Sequence, residues 1–161
     1  MLVSAGVGSI FIAAMVSLYA YSMRSFGAMA NYADFNRRSR TASDFLSRDI
    51  RCAPSVVSMT NNQIVLSASD GTNISYTYDS TSRTVTRVKG NDSRVLLRNV
   101  AWVAFALYQA PATNAAYNVF STATAASAKL VGFQWSCAQL LVGPESNSED
   151  VQTAIVSMRN R

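Results

Sequence analysis

Histidine is absent from this chain, lysine occurs only at Lys89 and Lys129, and cysteine only at Cys52 and Cys137. Without histidine the usual general base near neutral pH and the commonest transition-metal ligand are both missing, and the two cysteines are not at metal-ligand spacing. No phosphate loop occurs, and "SASDG" is not the Gly-x-Ser-x-Gly of a nucleophile elbow. The carboxylates are few and fall mostly in turns or in the helical stretch, where local hydrogen bonding accounts for them. A calcium site built from turn aspartates such as Asp70 or Asp79 would need a loop of alternating oxygen ligands, and none is present. The inventory therefore points away from an enzyme and assigns no cofactor and no metal.

Charge is missing altogether from the first twenty-three residues, "MLVSAGVGSIFIAAMVSLYAYSM", and Arg24 follows directly. As a helix this stretch is about 34 Å long, enough to cross a hydrocarbon core of about 30 Å. A cleaved secretory signal would carry a basic region before a shorter apolar run, which this segment lacks. Leu2, Val3, Val7, Ile10, Phe11, Ile12, Met15, Val16 and Leu18 are the expected membrane and helix contacts. Ser4 and Gly8 form a small-xxx-small pair that permits close helix approach. Arg24, Arg37, Arg38 and Arg40 all follow the apolar run, so the positive-inside rule would put the polar domain in the cytoplasm. The Ser-, Thr- and Asn-rich, lysine-poor remainder leans the other way.

Helical periodicity does not stop at Arg24. Ala42, Phe45, Leu46 and Ile50 share a face, and Pro54 turns Ala53 away from helical geometry. The sequence thus predicts one helix over about 2–52, on the order of 75 Å long, apolar all round in its first half and amphipathic in its second. The net charge of +5 is nearly all arginine, concentrated in "NRRSRTASDFLSRDIR". A solvated helix face explains it; the alternative is phosphate contact by Arg37, Arg38, Arg40, Arg83, Arg87 and Arg94, as in a DNA-uptake subunit.

After Pro54 the period changes to two. "QIVLSASDGTNISYTYDSTSRTVTRVKG" reads as three strands joined by an Asp70-Gly71 turn and a polar turn, with Ile74, Tyr76 and Tyr78 on one face. "SRVLLRNVAWVAFALYQ" adds one or two strands covered on both sides, with Trp102 and Phe105 in the core. Residues 110–127 read as a long loop. "KLVGFQWSCAQLLV" places Val131, Phe133, Trp135 and Cys137 on one face, "GPESNSED" turns, and "VQTAIVSMRNR" ends the sheet. The expected fold is α+β: 1–24 transmembrane helix, 25–53 the amphipathic part of the same helix, and 54–161 a β-rich extracytoplasmic domain on one antiparallel sheet. Cys52 and Cys137 would either close one disulfide or be two small buried hydrophobes.

This order, a membrane-length helix running unbroken into an amphipathic one with an antiparallel sheet packed on it, resembles type IV pilins and the pseudopilins of type II secretion. "MLVSAGVGSIFIAAMVSLYAYSMRSF" looks like the run that follows a Gly-Phe-Thr-Leu-Val-Glu prepilin cleavage signal. "SRTASDFLSRDIRCA" resembles the R-x-A-x-D-x-x-x-R-D-I-R-x-A segment of minor pilins of the J or W type, and "DGTNISYTYDSTSRTVTR" and "NVAWVAFALYQ" are similar to their hairpin and following strand. The resemblance implies a structural subunit held in the bacterial inner membrane with its domain in the periplasm, or built into a surface filament. Its implied partners are other pilin or pseudopilin subunits, and prepilin peptidase if a leader lies upstream. The basic leader, the cleavage glycine and the glutamate fifth in the family's mature chain have no counterpart here. Either a start assigned too late at Met1 or a divergent, unprocessed chain accounts for that, and the first also resolves the charge asymmetry. A membrane-anchored domain that enters no filament is the remaining alternative.

Overall fold

The computed structural model describes residues 2–110, 120–140 and 146–159, with the side chains of 2–5, 140 and 146–148 left aside. Among these residues one helix, α1 (Leu2–Cys52), is followed by eight strands: β1 (Ser55–Met59), β2 (Gln63–Ser67), β3 (Asn73–Asp79), β4 (Thr84–Lys89), β5 (Asp92–Leu97), β6 (Val100–Tyr108), β7 (Leu130–Leu140) and β8 (Ser146–Ser157). The fold is α+β, a long helix packed on antiparallel sheets.

Packing begins where the apolar run ends. Phe35, Ser39, Ala42, Leu46 and Ile50 are buried, and their spacing of three and four residues keeps them on one helix face. Phe45, expected on that face, lies at its margin and is only half-buried. The last turn closes with Ala53 donating to the Asp49 carbonyl at 2.9 Å, and Pro54 prevents continuation.

The single sheet expected from the sequence is two sheets: a meander in the order β1-β2-β3-β4-β5 and a separate β6-β7-β8 sheet. β1 is an additional strand, paired with β2 across an irregularity between Val56 and Ser58. The chain changes sheets at Asn99, which takes a left-handed φ of 58°, a conformation asparagine tolerates better than most residues. Arg83, at φ 53°, bridges the seam: its carbonyl accepts from Val100 N–H, and its guanidinium donates to the carbonyls of Val100 at 3.3 Å and Ala138 at 3.1 Å. Tyr78 on β3 reaches across as well, donating its hydroxyl to the Ala101 carbonyl at 2.9 Å.

The register of β6 shifts between Val100 and Trp102. One extra residue inverts the alternation that follows, so Val103, Phe105 and Leu107 turn inward and Trp102 turns out. Trp102 is 40% exposed, which corrects its expected place in the core and the expectation that this strand is covered on both faces. Phe105 packs half-buried against the core. On β7, Val131, Phe133, Trp135 and Cys137 are all buried on one face as expected, with Phe133 and Trp135 stacked at 5.0 Å. Ser146–Asp150, read from sequence as a turn, already belong to β8. Of the expected loop 110–127, residues 111–119 lie outside the described residues. The part after it is tied back to β6, through Ala123 N–H to the Leu107 carbonyl and Lys129 N–H to the Tyr108 carbonyl, both 2.9 Å.

Candidate functional site

Among the described residues the feature that stands out is a surface, the first half of α1. From Gly6 to Met23 the helix carries no charge and no part of its most apolar window is covered by the protein. Ile10, Phe11, Ile12, Met15, Val16 and Leu18 are 62–70% exposed, and Val7 is 49% exposed. Leu2 and Val3 lie on the helix, but their side chains are outside those described. Burying seven such side chains would recover on the order of 10 kcal/mol, so water is a poor solvent for this segment. The helix is long and apolar enough to span a membrane. Inside it, Ser9 and Ser17 donate their hydroxyls to the carbonyls of Gly6 and Ala13, three and four residues back, at 2.8 and 2.9 Å, which satisfies polar groups that lipid could not.

Two polar attachments hold the other half of α1 to the sheets. At Ser39, fully buried, the hydroxyl donates to Asp150 on β8 at 2.9 Å and accepts from the Trp135 indole N–H at 3.3 Å. At Asp49 one carboxylate oxygen accepts from the Tyr76 hydroxyl at 2.6 Å and from Arg87 Nε at 2.7 Å. Both partners of that ion pair are nearly buried, at 11% and 12% side-chain exposure. Desolvation, reinforced by the adjacent carboxylate, drives the Tyr76 phenol far above its ordinary range, and the bond to Asp49 raises Arg87 further. Asp49 and Tyr76 were not singled out from sequence as a pair: their separation along the chain carries no local signal.

The residues weighed for binding divide. Of the six arginines considered for phosphate contact, Arg83 bonds backbone carbonyls at the sheet seam and Arg87 pairs with Asp49, which removes both from a nucleic-acid surface. Arg37 and Arg38 pair with Asp34 at 3.3 and 2.7 Å, and the Arg38 bond holds the Asp34 carboxyl below its usual value. Arg94 lies over the Phe45 ring, 5.6 Å from its centroid. Arg40 is exposed. Asp70 and Asp79 use their carboxylates in turns, Asp70 on Thr72 and Asp79 on Thr81 N–H and the Ser82 hydroxyl. These bonds hold both carboxyls below the usual range. Among the described residues no group of three or more His, Cys, Asp or Glu comes together.

The cysteines are both free, Cys52 exposed and Cys137 buried, so the disulfide alternative is corrected to two thiols. Cys137 lies on β7 two residues from Trp135, whose indole bonds Ser39, while Cys52 stands thirteen residues beyond Ser39 along α1, about 20 Å at helical rise, far beyond the reach of a disulfide. Burial pushes the Cys137 thiol up to about 11. No family model, no curated protein and no solved structure matches this chain.

Proposed function

We propose that this chain is a membrane-anchored structural subunit of pilin type, a minor pilin or pseudopilin, that assembles through the apolar half of α1 and has no turnover of its own. One observation carries the reading: a single 51-residue helix is fastened to two sheets over its second half and left uncovered and charge-free over its first. A bare anchor needs only about 20 apolar residues and no rigid continuation. A helix that enters the domain without a break fixes the orientation of the domain relative to its neighbours. The first half would rest in the inner membrane and then pack on the helices of other subunits, with the sheets on the periplasmic side or on the outside of a filament.

The test is disulfide trapping in native membranes. In a Cys52→Ser background, Ile12→Cys and Val16→Cys are each oxidised with copper phenanthroline. Covalent adducts with pilin-type subunits at these positions, absent for a cysteine placed at exposed Thr153, are expected. Monomer alone at both helix positions would reduce the protein to a lone anchor.

A further inference from the structure

β5 is the last strand of its sheet. It pairs with β4 alone, and among the described residues no backbone group of Ser93–Leu97 has a partner on the opposite side. Beside it runs a groove against α1. A cavity of about 270 Å³ is lined by Arg37, Arg38 and Thr41 of the helix and by Arg94, Val95 and Leu96 of β5, with Phe45 at its end. Phe45 and Thr41 also line a second cavity of about 280 Å³ that reaches Arg48. A third, of about 330 Å³, lies away from that edge, where Phe45 and Arg48 border it together with Ile74 of β3 and Arg87 and Lys89 of β4. The open edge Ser93–Leu97 is about 17 Å long, five extended residues.

The walls are cationic beyond internal needs. Arg87 and Lys89 are occupied by Asp49 and Asp70. Arg37 and Arg38 share the single carboxylate of Asp34, and Asp92, two residues before Arg94 on β5, lies 3.9 Å from Arg87. Arg94 and Arg48 have no carboxylate partner among the described residues, and Val95 beside Arg94 is 44% exposed. An open strand edge supplies backbone donors and acceptors for a peptide, and the guanidiniums add charge-assisted bonds to carboxylates. Single-stranded nucleic acid would want an aromatic platform for its bases, but Phe45 already carries the guanidiniums of Arg87 and Arg94 at 5.7 and 5.6 Å.

We propose that the groove between α1 and the free edge of β5 binds an extended, acidic segment of a partner protein, added as a strand along β5 with its carboxylates on Arg94, Arg48 and the Arg37–Arg38 pair. The site is separate from the apolar half of α1 and does not depend on filament assembly.

The experiment uses the full chain in detergent micelles and a fluorescein-labelled peptide of about seven residues alternating glutamate and valine. Fluorescence anisotropy compares it with a lysine–valine peptide and with oligothymidylate of similar length. Selective binding of the glutamate peptide is expected, weakened roughly tenfold or more by Arg94→Glu and by Arg48→Glu, both exposed positions whose variants should keep the parent's unfolding midpoint. Hydrogen exchange at Ser93–Leu97 should slow when the peptide is bound. Equal binding of the lysine peptide or of oligothymidylate, parent-like binding by both variants, or unchanged exchange along β5 would each overturn the proposal.

Discussion

Asp49 shows how much a single side chain can hold together. It sits on the helix, yet its one oxygen receives donors from two strands of the five-stranded sheet, Tyr76 and Arg87. Removing the acid leaves Arg87 nearly buried and without its counter-ion, so Asp49→Ala is expected to cost about 3 kcal/mol, read as a lower urea midpoint of the domain. Tyr76→Phe keeps the ion pair and loses one hydrogen bond, and should cost about 1 kcal/mol. Cys137 sets a limit at high pH. Its folded-state value, about 11, lies above the unfolded value of 9.0, so the unfolded chain releases its proton first. The stabilisation is complete below pH 9 and is lost as pH rises toward 11. The melting temperature should fall across that window, less steeply in Cys137→Ala and unchanged in slope in Cys52→Ser. Tyr76 contributes with the same sign at still higher pH, because its phenol is also raised.

At the scale of elements, the helix was the most legible part. Its bounds followed from an uncharged run, a three-and-four periodicity and Pro54, all of them local signals. The β2–β3–β4 meander was equally readable from its Asp70-Gly71 turn and alternating residues. The division into two sheets was not, because it depends on a bulge after Val100 that inverts the faces of β6 without interrupting its apolar run. Trp102 therefore read as core and lies outside. The Phe45 groove was also hidden: arginines from 37 to 94 meet there only after β5 has been laid beside α1. The seam between the sheets depends on Arg83, and Arg83→Ala, which leaves two carbonyls with fewer donors, is expected to lower domain stability by about 1–2 kcal/mol. Leu46→Ala, at the centre of the buried helix face, should cost more, about 2–5 kcal/mol. Calorimetry on the two variants checks both the values and their order.

For the molecule as a whole, the two halves of α1 differ in their cover: the second packs on the sheets and the first is left exposed. None of residues 6–23 is buried against the domain, so removing everything before Arg24 should leave the unfolding temperature of the remainder within about 2 °C of the parent's, because surface positions away from packing change stability little. Placing charge in that stretch, as in Ile12→Arg with Val16→Arg, should release the protein from membranes at alkaline carbonate wash while leaving its circular dichroism in solution intact, since both positions are exposed. The spacing of the two polar attachments has a mechanical consequence. Ser39 is tied to the three-stranded sheet and Asp49 to the five-stranded one, ten residues and about 15 Å apart along one rigid rod. A pull along the rod loads both ties in shear at once, with neither free to peel open ahead of the other. Tension applied at the uncovered end of the helix is then shared by both sheets, and the rod is drawn out only when both ties give way.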